Sequence, residues 1–303
     1  MPRARVNQIE IDYAEHGPAD GVPLLLIMGL AMQRVAWPVS LLDALAKGGF
    51  RCITFDNRDI GLSTRCRGAR VPGLPRLVAA RLSGRTPRLP YRLADLADDA
   101  AGLLDTLDIE HAHVAGISMG GMIAQHFAHR FAERTRSLTL MATSTGRLGL
   151  PLPRPKVLRI MLRRPRDAAD EDAVARYMLD LFTAIGSPGY PTPVSELEPR
   201  VRAAIRRAPA GASVTRQLAA IITDAHRGPL LRSLHCPTLI LHGSDDAMVP
   251  VAHAHEMSRA MRQATLRIIP GWGHDLPEAL MPELARHIKQ TATTATNTAS
   301  SSA

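Results

Sequence analysis

Short apolar segments alternate with helix-like segments along most of this chain. Each apolar segment is five or six residues long; they are Leu24–Met28, Arg51–Phe55, His113–Ile117, Ser137–Met141, Pro237–Leu241 and Ala264–Ile269. Strands that are buried on both faces have this pattern, and they occur in parallel sheets covered by helices. The clearest helical segment repeats apolar residues every three or four positions between Leu93 and Leu107. The pattern predicts an α/β fold, with a mostly parallel sheet flanked by helices.

The alternation changes in three places. Apolar residues alternate with polar ones from Val6 to Tyr13, which predicts an edge hairpin that turns near Asn7-Gln8. Prolines cluster between residues 146 and 228, where helical patterns occur without a buried strand, so we expect a helical insertion at 146–228 within a core formed by 1–145 and 229–290. Residues 291–303 are rich in Thr, Ala and Ser and lack apolar anchors, so a disordered tail is expected there.

Composition narrows the class of protein. The chain has 303 residues, of which 46% are hydrophobic, so it can bury a sizeable core. Aromatic residues make up only 4%, which disfavours single-stranded nucleic acid as a partner. Its three cysteines have neither CxxC nor metal-ligand spacing and indicate a reducing compartment. The sequence shows no signal-peptide pattern and no run long enough to span a bilayer, so we expect a cytoplasmic protein.

One serine lies in the sequence context of a strained turn between a strand and a helix. Gly116-Ile-Ser118-Met-Gly120 follows a buried strand and precedes a helix-like segment. So tight a turn excludes side chains two residues before and two residues after the serine, and both positions are glycine. The turn raises the serine hydroxyl at the carboxyl edge of the sheet. Ser118 is therefore the predicted catalytic nucleophile.

A serine hydroxyl needs a base, and the base needs an orienting acid. Asp245 and Asp246 lie in the loop 243–250 after a buried strand, and His274 lies in Gly271-Trp-Gly-His274 after the next strand. The chain has 12 histidines, but only His274 combines a glycine-flanked loop with a place after the acid. These loops all start at carboxyl ends of strands, so the side chains should meet at one edge of the sheet. The spacing does not distinguish Asp245 from Asp246.

Hydrolysis of an acyl bond also needs donors for the oxyanion. The backbone N–H of Met119 directly follows the nucleophile. Leu30 lies in the loop after the first long strand, where Gly29 permits a close approach, and its N–H is the second predicted donor. The sequence contains no H-E-x-x-H motif and no cysteine–histidine cluster. We therefore expect neither a metal nor a cofactor.

Four motifs together resemble the α/β-hydrolase superfamily along nearly the whole chain; they are Gly116–Gly121, Phe55–Ser63, Gly243–Pro250 and Gly271–His274. Leu26-Ile-Met-Gly-Leu30, followed by Trp37-Pro38, departs from the common His-Gly of this superfamily. That variant is similar to the branch that contains aclacinomycin methylesterase and related small-molecule esterases. The resemblance implies an α/β-hydrolase fold in which residues 146–228 form a helical cap after the sixth strand. It also favours Asp246 as the acid, because the third residue after the glycine of this loop has that role in the family.

The predicted activity is hydrolysis of a carboxylic ester of a small hydrophobic molecule. Ser118, His274 and Asp246 would form a Ser-His-Asp triad that works through an acyl-enzyme. Haloalkane dehalogenases and epoxide hydrolases of similar fold use an aspartate at the nucleophile position, so Ser118 argues against both. Enol-lactonases, carbon–carbon bond hydrolases and aminopeptidases keep a serine and stay open alternatives. A slow-turnover ligand receptor of the same fold is a further alternative.

Positive charge is concentrated in two segments. Residues 58–92 contain nine arginines and one acidic residue, and residues 146–228 contain 14 basic and eight acidic residues, in a chain of net charge +9. Both segments follow carboxyl ends of strands. The sequence therefore predicts a positive rim around the site, with an acidic substrate or an acidic lipid surface as its partner. A solvated face without a partner is the alternative. The predicted rim residues are Arg65, Arg67, Arg70, Arg81, Arg85, Arg159, Arg163 and Arg164.

Overall fold

One sheet of eight strands forms the centre of the computed structural model, which describes residues 2–163, 165, 167, 169–209, 211, 213–261 and 263–300. The strands are β1 (Arg3–Val6), β2 (Ile9–His16), β3 (Val22–Ile27), β4 (Phe50–Phe55), β5 (Ala112–Ile117), β6 (Thr135–Met141), β7 (Thr238–Gly243) and β8 (Thr265–Ile269). Their order is β1-β2-β4-β3-β5-β6-β7-β8. The pairs β1–β2 and β2–β4 are antiparallel, and all the others are parallel. The predicted fold class is confirmed.

The edge hairpin turns where the sequence predicts it. Asn7 and Gln8 both have positive φ, at 46° and 65°, and they connect β1 to β2 directly. Two consecutive residues with positive φ match the right-handed twist of the flanking strands. The hairpin covers the outer edge of β4, so β4 does not lie at an edge of the sheet.

Helices cover both faces of the sheet. They are α1 (Val39–Lys47), α2 (Leu74–Leu82), α3 (Leu93–Thr106), α4 (Met119–Arg130), α5 (Pro155–Leu162), α6 (Glu171–Ile185), α7 (Val194–Arg207), α8 (Ser213–Thr223), α9 (Gly228–Arg232), α10 (Ala252–Ala260) and α11 (Met281–Ser300). Leu25 and Ile27 of β3 pack into one core cluster with α3 and α4. Leu24 and Leu26 pack into a second cluster with α1 and α11 on the opposite face. This explains why the strand is apolar at every position.

Helices α5 to α8 lie between β6 and β7, where the sequence predicts a helical insertion. A buried ionic cluster ties α7 to the sheet. The Arg207 guanidinium donates to Asp12 Oδ2 at 2.6 Å and to Asp56 Oδ2 at 2.7 Å, and both carboxylates are fully buried. On α8, Arg216 forms a bidentate ion pair with the buried Asp59. The limits 146–228 for a separate cap domain stay a prediction.

The structure describes most of the C-terminal segment, 291–303, for which the sequence predicts disorder. Helix α11 continues to Ser300, while residues 301–303 lie outside the described part of the chain. Ala292 and Ala295 face the protein, with exposures of 5% and 8%, and Ala292 belongs to the second core cluster. Alanine has the highest helix propensity and can pack closely without a long side chain. Helical structure therefore extends into the segment for which the sequence predicts disorder, and the disordered tail at 291–303 stays a prediction.

The interval between β4 and α3 contains α2, a helix that sequence reasoning did not predict. Leu77 is the one residue of α2 that is buried. A helix with so little buried surface gives a weak periodic signal. No helix of the described residues is both long enough and apolar enough to cross a bilayer.

Candidate active site

Ser118 occupies a strained turn between β5 and α4. Its φ is 55° and its ψ is −121°, a conformation that a residue with a side chain rarely adopts. A Cβ atom at Gly116 would lie 2.3 Å from the Gly120 oxygen, and one at Gly120 would lie 2.0 Å from the Ile27 oxygen. Both glycines are therefore required by close backbone contacts. The turn holds the Ser118 side chain where the sequence predicts it, at the carboxyl end of β5.

His274 connects the serine to a carboxylate. Its Nε2 lies 3.0 Å from Ser118 Oγ, and its Nδ1 lies 2.7 Å from Asp246 Oδ2. A carboxylate oxygen only accepts, so Nδ1 carries the proton and Nε2 is free to accept from the serine hydroxyl. The His274 side chain is 8% exposed and that of Asp246 is fully buried. The structure thus brings the three predicted side chains together in the predicted order.

Asp246, and not Asp245, faces the histidine. Asp246 Oδ1 accepts hydrogen bonds from the backbone N–H groups of Met248 and Val249, at 2.9 and 2.7 Å. These bonds orient the carboxylate so that Oδ2 points to His274. Asp245 instead accepts a hydrogen bond from the hydroxyl of Ser244. The two neighbours, which spacing alone could not distinguish, therefore have different surroundings.

A second buried histidine, His242, lies beside the carboxylate. Its Nε2 donates to the Val249 oxygen at 2.7 Å and is 3.5 Å from Asp246 Oδ2. Burial lowers the pKa of His242, although the charge of Asp246 opposes this shift. A neutral His242 does not compete with His274 for the negative charge of Asp246.

The loop after β3 lies directly against the nucleophile. A Cβ atom at Gly29 would be 3.3 Å from Ser118 Cβ, so only glycine fits there without displacement. Among the residues that the structure describes, no acceptor is bonded to the backbone N–H of Leu30 or to that of Met119. Unpaired N–H groups at a site of this kind are available to an anion. Both predicted donors are thus free.

Two buried side chains that sequence reasoning missed hold this loop. Asn57 Nδ2 donates to the Met28 oxygen at 3.1 Å. Gln217 on α8 is fully buried, and its Oε1 accepts from the backbone N–H of Ala31 at 3.0 Å, where Ala31 has a φ of 62°. The Gln217 amide also donates to the Arg58 oxygen at 3.2 Å. Asn57 follows a buried strand and could have been found by that signal, whereas Gln217 lies on a helix without any motif.

The last residue of α6 and the segment that follows it support the histidine loop. The backbone N–H of His274 donates to the Ile185 oxygen at 2.7 Å, and the N–H of Gly273 donates to Ser187 Oγ at 2.9 Å. Ser187 also hydrogen-bonds Asp275, and burial raises the pKa of that carboxyl. The helices between β6 and β7 therefore contact both the histidine loop and the loop that carries Leu30.

The apolar side chains of these helices fall into two groups. Met161 and Leu181 pack with Ala247 and Met248, which directly follow Asp246. Met178 and Leu179 pack instead against the buried residues of α6 and α7. The first group adjoins the site, while the second is the internal core of this layer.

Comparison with known proteins agrees with the fold and with the geometry of the site. The sequence profile described as alpha/beta hydrolase fold matches residues 22–278. The chain is 27% identical over 308 residues to rhodomycin D methylesterase of Streptomyces peucetius, covering 95% of this chain and 97% of that one. It is 32% identical over 211 residues to a poly(3-hydroxyalkanoate) depolymerase of Ectopseudomonas oleovorans, covering 68% of this chain and 70% of that one.

A solved structure shares the fold. The thermophilic esterase of Thermogutta terrifontis superimposes with a TM-score of 0.70 at 24% identity, covering 97% of this chain and 98% of that one. At this identity the likeness concerns the fold alone. The profile match, however, extends over most of the sequence and includes every strand from β3 to β8. This chain therefore belongs to the α/β hydrolase fold family.

Proposed function

We propose that this protein is a cofactor-free serine hydrolase that cleaves a carboxylic ester of a small hydrophobic molecule. One observation carries the proposal: His274 hydrogen-bonds Ser118 through one ring nitrogen and Asp246 through the other. A hydroxyl, an imidazole and a carboxylate in this sequence make up the machinery for acyl transfer. The cytoplasmic location predicted from the sequence is part of the same proposal.

Each group has one role in the proposed reaction. Ser118 Oγ attacks the ester carbonyl carbon while its proton moves to His274 Nε2, and the N–H groups of Leu30 and Met119 stabilise the resulting oxyanion. Collapse of this intermediate breaks the ester C–O bond, and His274 returns the proton to the leaving alcohol. Water then gives a proton to His274 and attacks the acyl-enzyme. Collapse of this second intermediate breaks the bond to Ser118 Oγ and releases the acid, while His274 returns the proton to Ser118 Oγ. Asp246 orients His274 and stabilises its charged form.

One relative that aligns with nearly the whole chain supports an ester over other acyl bonds. Rhodomycin D methylesterase acts on a methyl ester by its name, and it aligns with nearly the whole chain. Met161 and Leu181 pack in one apolar cluster with Ala247, which directly follows Asp246, and we infer that they form an apolar wall on that side of the site. An apolar wall suits a hydrophobic acyl or alcohol group.

Replacement of Ser118 tests the proposal. The wild-type protein should hydrolyse soluble esters and gain the mass of one phosphonyl group from a fluorophosphonate, as Ser118 Oγ displaces fluoride from phosphorus. Ser118→Ala should lose both properties and keep its thermal unfolding temperature. Ser83→Ala, which changes an exposed serine at the end of α2, is the matched control and should retain both. Full labelling of Ser118→Ala would contradict the assignment.

A substrate panel separates the alternatives. Purified protein should be assayed with esters, enol-lactones, amino-acid amides and vinylogous β-diketones. A preference for lactones, amides or diketones would replace the ester assignment with one of the other serine hydrolase activities. Stoichiometric labelling with negligible turnover of every class would indicate a ligand receptor instead.

A further inference from the structure

In the part of the chain that the structure describes, the exposed leucines lie within two segments that contain no acidic residue. Among the described residues, the leucines with exposed side chains are Leu74, Leu82, Leu148, Leu152 and Leu162. They lie within 60–92 and 142–163, and neither segment contains Asp or Glu. We call these exposed leucines and the arginines around them the arginine–leucine surface.

Helix α2 forms one part of this surface. Leu74, Val78 and Leu82 are spaced by four residues and form one stripe along the helix, with exposures of 48, 42 and 69%. Arg81 donates a hydrogen bond to the Gly146 oxygen, which joins the end of α2 to the start of the second segment. The two segments are therefore adjacent in the fold.

Most of the arginines of this surface are not neutralised by an ion pair with a described residue. Arg65 and Arg81 donate to the backbone oxygens of Pro209 and Gly146. The other described members of the predicted rim are exposed and form no ion pair with a described residue; they are Arg67, Arg70, Arg85, Arg159 and Arg163. Arg164 lies outside the described residues. The two segments thus combine exposed leucines with cations and contain no acidic residue of their own, while Glu10 lines one groove with Arg65 and Arg67 and Asp180 lines another with Arg163.

The surface lies on the same side of the sheet as Ser118. The first segment follows β4 and the second follows β6, and Ser118 follows β5 at the same carboxyl edge. Helix α2 packs against α8, which carries Gln217 beneath the loop of Leu30. A partner seated on this surface would therefore be on the active-site side of the molecule.

We propose that the arginine–leucine surface docks reversibly on an anionic lipid bilayer. Arginines near such a bilayer are attracted by its negative headgroups, while leucines enter the boundary between headgroups and acyl chains. A second copy of this chain is a poor occupant, because a symmetric contact would bring the many arginines of two such surfaces together, with few carboxylates to pair with them. The proposal goes beyond ester hydrolysis, and lipid binding can be measured without a substrate.

Sedimentation with vesicles tests the apolar part. Wild-type protein should bind vesicles of phosphatidylcholine mixed with phosphatidylglycerol and should not bind vesicles of phosphatidylcholine alone. Leu82→Ser on α2 and Leu148→Ser in the second segment should each weaken binding by about tenfold, through lost apolar burial. Val39→Ser on α1, where the side chain is 65% exposed, is the matched control and should bind as wild type.

A charge variant tests the electrostatic part. Arg85→Gln should weaken binding to the anionic vesicles by about fivefold, whereas Arg136→Gln, an exposed arginine on β6, should change it little. Raising the salt concentration should weaken binding for every variant. All the altered side chains are exposed, so the thermal unfolding temperatures should match that of the wild type.

Three results would overturn the proposal. The first is absence of binding by wild-type protein that is folded by circular dichroism. The second is binding that Leu82→Ser and Leu148→Ser leave unchanged. The third is a concentration-dependent dimer that Leu82→Ser dissociates, since this would make a second copy the occupant. Absence of ester hydrolysis would overturn the proposed function alone, because sedimentation with vesicles measures binding and does not depend on hydrolysis.

Discussion

At the scale of single residues, the carboxylates of Asp245 and Asp246 differ in what they bind. Asp246→Asn removes the negative charge that faces His274 Nδ1 and presents an amide that can fix the wrong tautomer. We expect kcat to fall on the order of 10⁴-fold. Asp245→Asn changes a side chain that contacts Ser244 and should lower kcat far less. Steady-state kinetics on both variants, at matched unfolding temperatures, shows which carboxylate serves His274. A larger loss of kcat for Asp245→Asn would reverse the assignment.

Gln217 is the residue through which α8 acts on the oxyanion loop. Gln217→Leu removes the acceptor of the Ala31 N–H and should let the Leu30 N–H move away from the oxyanion position. We expect kcat to fall by roughly 10- to 100-fold, less than the loss of a donor itself, with KM nearly unchanged. Gln217→Glu keeps an acceptor and should retain more activity.

A control and an inhibitor distinguish this positioning role from a general loss of stability. Gln125→Leu also removes a fully buried amide, one that contacts Arg227 and Ser144, and it should lower stability with little change in kcat. Affinity for a trifluoromethyl ketone, which forms an oxyanion on Ser118, should fall in Gln217→Leu together with kcat. Unchanged inhibitor affinity would show that Gln217 does not position the oxyanion donors.

At the scale of elements, a buried charge fixes helix α7 on the sheet. Arg207→Leu would leave the carboxylates of Asp12 and Asp56 buried with one cation fewer, although Arg34 still contacts Asp12. Removing one partner from a buried ionic cluster costs about 3–5 kcal/mol. Arg206→Leu, next to it on α7 but 61% exposed, is the matched control and should cost less than about 1 kcal/mol. Urea unfolding measures both; equal losses would contradict a structural role for the cluster.

At the scale of the whole molecule, buried histidines make stability depend on pH. His113 on β5 bonds Ser137 Oγ at 2.7 Å and packs edge-on against the Phe50 ring. Burial, with a smaller effect of the Arg136 charge, lowers the pKa of His113 from 6.5 to about 4. Between these values the unfolded chain binds a proton that the folded chain does not. The free energy of unfolding should therefore decrease as the pH falls from about 6.5 to 4, by about 3 kcal/mol for this residue.

Urea unfolding between pH ~4 and ~7.5, a range that starts at the lower limit of this window and ends about one unit above its upper limit, measures the effect. His113→Asn keeps a polar group toward Ser137 but cannot be protonated, so its stability should depend less steeply on pH. His242, whose pKa is also lowered by burial, would still contribute in the same direction. His129→Gln, which changes an exposed histidine, should keep the wild-type slope. The same slope in His113→Asn would contradict this origin.

The sequence by itself determined the strands, their parallel arrangement and the positions of Ser118 and His274. Strands β3 to β7 are buried at nearly every position because helices cover both faces of the sheet, and the apolar runs within them make that burial visible in the sequence. The requirement for glycine at Gly116 and Gly120 can also be read from the sequence, because a Cβ atom at either position would lie within 2.3 Å of a backbone oxygen and exclude every other residue. Both signals arise from local sterics or from burial, which act on each position separately.

Only the tertiary structure decided which side chains meet across the chain. Asp246 is distinguished from Asp245 by where the loop turns, and Gln217 reaches Ala31 across 186 positions without any motif. Helix α11 continues to Ser300, and Ala292 and Ala295 are buried against the rest of the protein. The Thr/Ala/Ser-rich composition of this segment does not indicate that contact. Such contacts depend on the relative positions of whole elements. Their energy belongs to pairs of residues that are distant in sequence, so no local pattern encodes them.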